Sequence, residues 1–201
     1  MLKSIDPNQL PERENYKFLT GSIIPRPVAF VTTQSKAEVL NAAPFSYFNI
    51  VTANPPMISV SVQRHNGEMK DTARNAVEQK EFVVHISDES YIHEINETAK
   101  VLPPDESEID LTSLTPIDSE KVSVPAIKEA NIRMECVLEQ VVTLGDGPAC
   151  DLLIGRVVQY HIREDLYEKG RVNAEKLAPV SRLAGNYYAK LGEMFEIVRP
   201  K

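Results

Sequence analysis

The chain has 201 residues, a formal net charge of -7, 42% hydrophobic and 25% charged residues, which is the balance of a globular domain able to bury a core without staples. Its acidity opposes phosphate backbones, so nucleic acid is excluded as an expected partner. No apolar run approaches the roughly 20 residues that cross a bilayer, and the N-terminal stretch has no apolar signal region, so a soluble cytoplasmic protein with no membrane partner is expected.

In chain order, residues 1–20 read as an irregular arm closed by a short helical turn. Arg26-Pro-Val-Ala-Phe-Val-Thr-Thr33 reads as a strand, and Glu38-Val-Leu40 resumes extended structure after a turn. The next nine residues, NAAPFSYFN (Asn41–Asn49), combine small side chains, a proline, a hydroxyl, three aromatics and two amides. That mixture suits a backbone lying close against a flat aromatic ligand, with rings either stacked on it or filling the core. Asn54-Pro-Pro56 then forces a loop. In Met57–Val62, Ile58, Val60 and Val62 face one side and Ser59 and Ser61 the other, which defines a strand with a small polar face.

A helix follows over Asp71–Lys80, with Asp71 as its expected cap, then a strand over Phe82–Ile86 and a helix over about Glu89–Lys100. Residues 101–125 are rich in proline and carry the acidic run Asp105–Asp110, which predicts a surface excursion with solvated charges. Ile132–Leu138 and Cys150–Ile162 form a hairpin across the glycine-containing tip Leu144–Pro148, the second strand being interrupted by Gly155. Residues 163–201 read as helical and irregular. Strands dominate without βαβ alternation, so the fold expected is mainly β with inserted helices, a small barrel in a single domain.

Glycine-rich phosphate loops and the nucleophile elbow are absent from the sequence. His65, His85, His93 and His161 show no metal-ligand spacing; His93 and Glu97 read as a solvent-facing pair, His161 as a polar strand end, and no metal is expected. Cys136 and Cys150 lack CxxC spacing and read as buried free thiols. Lys70-Asp-Thr72 leaves two readings open. Lysine at a helix N-terminus opposes the macrodipole unless a bound anion or the Asp71 carboxylate offsets it.

Five segments, Arg26–Thr33, Asn41–Ser46, Asn54–Pro56, Lys70–Thr72 and Arg182-Leu-Ala-Gly185, occur in an order that resembles flavin reductase-like FMN-binding split-barrel proteins over about residues 20–190. The similarity is to the branch of flavoredoxin and the reductase component of nitrilotriacetate monooxygenase. The resemblance implies a six-stranded Greek-key split β-barrel homodimer that binds FMN near the subunit interface. It implies Arg26 beside the flavin, Thr32 and Thr33 along the binding strand, and Asn41, Ala43, Pro44 and Ser46 against the ring and ribityl chain. Lys70 and Thr72 would hold the phosphate, and Arg182 and Tyr187 would approach from the C-terminal segment or the partner subunit.

The implied activity is NAD(P)H-dependent flavin reduction, with NADH or NADPH as donor and a free flavin, a monooxygenase or another redox protein as acceptor. Hydride transfer to a flavin requires no side-chain acid or base, so no catalytic side chain is assigned. One departure from the family stands out: short-chain relatives often carry Gly-Asp-His where this hairpin has Gly145-Asp-Gly147. It keeps open a flavoredoxin-like electron carrier without direct nicotinamide activity.

Overall fold

The computed structural model describes residues 1–200. Seven strands form one antiparallel sheet: β1 Ala29–Gln34, β2 Leu40–Phe45, β3 Phe48–Ala53, β4 Pro56–Gln63, β5 Glu81–Ile86, β6 Ile132–Leu144 and β7 Cys150–Ile162. Their order across the sheet is β2-β1-β5-β6-β7-β4-β3. The strands β2 and β3 are therefore opposite edges, yet only Ser46 and Tyr47 separate them in sequence. The sheet must curl until its edges meet at that corner, and the Ser61 N–H ties it by donating to the Tyr47 carbonyl at 2.8 Å. The result is a barrel split beside its seam.

The expected split barrel rests on a sheet of seven hydrogen-bonded strands, because the run from Leu40 to Ala53 bends once and supplies both edges. The segment Asn41–Asn49 is mostly strand, and Pro44 is tolerated because β2 pairs on one side only. Asn54-Pro55 forms a tight turn, and Pro56 already belongs to β4.

Alternation decides what each strand buries. Val31, Val60, Val84, Cys136 and Leu153 fill the barrel, together with Ala73 and Ala76 of the helix α2, Asp71–Gln79. Phe30 points outward against Tyr91, Ile95, Ile109 and Ile127, contributed by the chain between residues 91 and 130. Val83 packs outward against Val122, Val124 and Ala126. Both faces of β1 and β5 are thus covered, which is why Ala29–Thr33 is buried throughout.

Residues 101–125 are consequently less solvated than expected. Within the acidic run, Glu108 is only 6% exposed and its Oε2 accepts the Ala42 N–H at 3.1 Å. Ser107 Oγ donates to the Leu40 carbonyl, so this excursion occupies backbone groups on the free side of edge strand β2. The N-terminal arm also holds more helix than its sequence suggested, with α1 over Glu12–Ser22 starting behind Pro11. The next helix after α2 is shorter than expected, with α3 confined to Ile92–Glu97. Beyond Arg163 the helical expectation fails: α4 is only Ala174–Leu177, capped when the Asn173 side chain accepts the Lys176 N–H. Short strands accompany it, with Val180–Arg182 lying between Arg26–Pro27 and Tyr188–Lys190.

Candidate functional site

Two lobes of one cleft lie beside the seam. The larger is about 610 Å³ and is lined by Asn41, Ala43, Pro44, Lys70, Thr72, Arg74 and Glu108, among others. The smaller is about 290 Å³ and includes Tyr16, Arg26, Pro44, Ser46, Tyr47, Ser61, Arg182 and Tyr188. Pro44, Phe45, Lys70 and Ala99 belong to both. The larger lobe alone falls within the roughly 300–1,000 Å³ usual for small-molecule sites.

The larger lobe is built on the start of α2. Lys70 occupies the N-cap position with no side-chain cap bond. Asp71, the expected cap, is instead the first helical residue, and it pairs with Arg74. The carboxylate is therefore engaged within the helix rather than closing its end, and the first helical N–H groups have no intrahelical carbonyls to reach. Thr72 is buried, and its Oγ1 accepts from Asn41 Nδ2 at 2.9 Å. Asn41 Nδ2 also reaches Thr33 Oγ1 at 3.3 Å, and Asn75 Nδ2 reaches the same oxygen at 3.4 Å. This buried chain fixes the side chain of edge strand β2 against the helix terminus. Burial pushes the Glu108 carboxyl above its ordinary range, against the pull of the Ala42 N–H.

The smaller lobe is framed by Arg26. Its Nη1 donates to the Thr20 carbonyl at 2.8 Å and to the Ile23 carbonyl, and Nη2 donates to Leu183 at 2.9 Å. Arg182 lies over the Tyr188 ring, 4.6 Å from its centroid, and donates to the Tyr188 hydroxyl and the Gly185 carbonyl. Burial raises the Tyr47 phenol pKa, Tyr16 adds to that shift, and Arg26 opposes it. The lobe therefore presents a neutral phenol, small hydroxyls and two arginines largely committed to protein acceptors.

Most expected site residues converge here: Arg26, Asn41, Ala43, Pro44, Ser46, Lys70, Thr72 and Arg182 all line the cleft. Three do not. Thr32 points the other way, buried and donating to the Pro125 carbonyl at 2.8 Å. Thr33 stands behind Asn41 as its hydrogen-bond partner. Tyr187 is 75% exposed, and its neighbour Tyr188 lines the smaller lobe in its place. Of the aromatics between Asn41 and Asn49, Tyr47 lines the cleft, Phe45 lines it while also packing into the barrel core, and Phe48 packs against that core.

Tyr16, Gln63, Arg74, Glu108 and Tyr188 were not legible as site residues in the sequence. Ser61 had a signal, because it lies on the polar face of β4. His161 ends its strand as expected, but its Nε2 meets the buried Glu135 Oε1 at 2.6 Å, outside the cleft. His93 and Glu97 are both exposed, and no cluster of metal-binding side chains converges among the described residues. Cys136 and Cys150 are free thiols, the first buried and the second half-buried.

A split barrel whose seam carries a cleft ending at a helix N-terminus defines a flavin-binding oxidoreductase of the split-barrel class. The chain belongs to the flavin reductase-like family, whose domain model matches residues 20–179. Nitrilotriacetate monooxygenase component B from Bacillus cereus is 69% identical, over 98% of this chain and 99% of that one, with a TM-score of 0.97. An uncharacterized Bacillus subtilis protein is 56% identical over 96% of this chain and 97% of its own. Flavoredoxin of Desulfovibrio vulgaris (Miyazaki F) shares the fold at 21% identity, covering 98% and 97% of the two chains, with a TM-score of 0.78.

Proposed function

We propose that this protein is an FMN-binding, NAD(P)H-dependent flavin reductase that acts as a homodimer and supplies reduced flavin or electrons to an acceptor. The observation that carries the reading is Lys70, placed where both lobes meet and at the uncapped start of α2. The residues fit the cofactor. Lys70, Thr72 and the first N–H groups of α2 would hold the phosphate. Asn41, Ala43, Pro44 and Ser46 would hold the ring and ribityl chain, their small side chains admitting close approach to the backbone. When bound, FMN supplies a centre that accepts a hydride and returns electrons singly or in pairs.

The protein's own part is binding, orientation and control of solvent. Asn41 is positioned by Thr33 and Thr72, so the polar edge of β2 is set before any ligand arrives. Arg182 and Tyr188 close the outer wall of the smaller lobe as a stacked pair. Exposed Ile23, Ile24 and Ile50, with Phe195 and Val198 further along the chain, support pairing with a second copy. The Bacillus cereus relative is a monooxygenase component, which favours a monooxygenase or another redox protein as acceptor. Two free thiols agree with a reducing cytoplasmic setting.

A second reading, a flavoredoxin-like electron carrier, is favoured by Gly147 at the β6–β7 tip, where its φ of 91° suits glycine and no imidazole is offered. A visible spectrum of the FMN-loaded protein under anaerobic conditions, followed through addition of NADH and then NADPH, separates the two. Rapid bleaching of the flavin band establishes the reductase. A band that only dithionite removes rejects nicotinamide as donor and supports the carrier.

A further inference from the structure

A separate cavity of about 430 Å³ opens beside the start of β6 and the end of β7. It shares no lining residue with either lobe of the cleft. Lys128, Asn131, Arg133, Tyr160, His161 and Arg163 form its polar wall. The strand register aligns His161 with Arg133 and Arg133 with His85, and His85 with Phe30. Residues directly opposite share a face, so Arg133 lies on the outer face of the sheet with Phe30.

The charges around this cavity are unequally committed. Asp165 takes Arg163 at 2.5 Å, and Asn131 accepts from Arg163 at 2.7 Å. Buried Glu135 accepts the backbone N–H groups of Glu120, Lys121 and Val122 and holds His161, whose Nδ1 lies 3.9 Å from Glu120. Asp88 accepts from Ser90 and Asn131. The ion pairs among the described residues include neither Lys128 nor Arg133. Arg133 Nε is buried and has no hydrogen-bond partner. Arg133 and Lys128 thus bring charge that no ion pair offsets to a cavity whose lining side chains carry no acid, within a chain of net charge -7.

We propose that this cavity binds a small oxyanion, a phosphate or carboxylate group, with Arg133 as its principal ligand and Lys128 as the second. A guanidinium fork matches two oxygens of such a group. Lys128 adds a mobile point charge. Asn131, held by Asp88 and Arg163, and His161, held by Glu135, form the rigid floor. The site is independent of the flavin cleft and does not require that reading.

The experiment follows the Arg133 Nε–H resonance by NMR during titration with inorganic phosphate and, separately, malonate, against chloride at equal ionic strength. FMN is kept saturating, so that the α2 terminus is filled; the same signal in FMN-free protein separates this site from the flavin reading. Saturable movement with phosphate or with malonate is expected, and the better ligand names the group. Arg133→Gln should weaken phosphate-dependent thermal stabilisation about tenfold or more. Lys128→Gln should weaken it less, and Arg156→Gln, a surface residue paired with Glu139, should leave it intact. Lys128→Gln serves alone should the Arg133 variant not fold. No movement with either oxyanion, equal movement with chloride, or stabilisation unchanged in the variants overturns the proposal.

Discussion

Replacing Lys70 by alanine isolates the phosphate end of the cleft. Lys70 is exposed, so its bond to a phosphate oxygen belongs at the low end for charged hydrogen bonds, about 1.5 kcal/mol. That corresponds to about a tenfold loss of affinity. Riboflavin, which lacks the phosphate, provides the internal control. Quenching of flavin fluorescence, titrated with both ligands, should show FMN binding weakened about tenfold in Lys70→Ala and riboflavin binding unchanged. Equal losses for the two flavins would mean that Lys70 contacts the ring or shapes the cleft. No loss for FMN would remove the phosphate from α2 altogether.

Three further outcomes are expected. His85 is buried between the Phe30 carbonyl at 2.9 Å and the Ile127 N–H at 2.9 Å, and burial lowers its pKa to about 4. Folded and unfolded chains both carry it neutral well above pH 6.5, while between there and about pH 4 only the unfolded chain takes the proton. Urea titrations should therefore show about 2 kcal/mol less stability at pH 5 than at pH 7.5, and this pH dependence should shrink in His85→Gln. A Cβ at Gly155 would lie 2.3 Å from Phe82 Cζ and 3.2 Å from Cys136 Cβ, so Gly155→Ala should cost about 1–3 kcal/mol in the same assay. Burial first, and then Glu135, raise the Cys136 thiol pKa, so a thiol reagent added to native protein should label Cys150 and spare Cys136 until denaturant is added.

What the sequence made legible was what repeats with a fixed period. Ile58, Val60 and Val62 alternate with serines, and the structure puts those three inside the barrel. The β6–β7 hairpin announced itself by two long strand signals and a glycine-rich tip. Edge strand β2 did not, because Ala42, Ala43 and Pro44 have poor strand propensity and only its place at the sheet's edge accommodates them. The same period of two explains the site residues that fell outside the cleft. Thr32 and Thr33 are neighbours on a strand and must face opposite sides, and a motif match does not choose between them; Tyr187 lies just ahead of the strand that Tyr188 begins. Glu108 carried no signal because nothing in an acidic run distinguishes the one carboxylate that turns inward to Ala42.

Arg26 joins parts of the chain that local sequence would never bring together. One guanidinium gathers carbonyls from the end of α1, from the turn that follows it, and from a segment more than 150 residues later. Those segments border the smaller lobe, since Thr20, Leu183 and Arg26 itself are in its lining. The mouth of that lobe is therefore gauged by a single side chain. The N-terminal helix and the C-terminal loop behave as two jaws on one pin. Neither can swing outward to admit a larger guest without stranding Arg26's buried donors, so the aperture is set by how the chain folds.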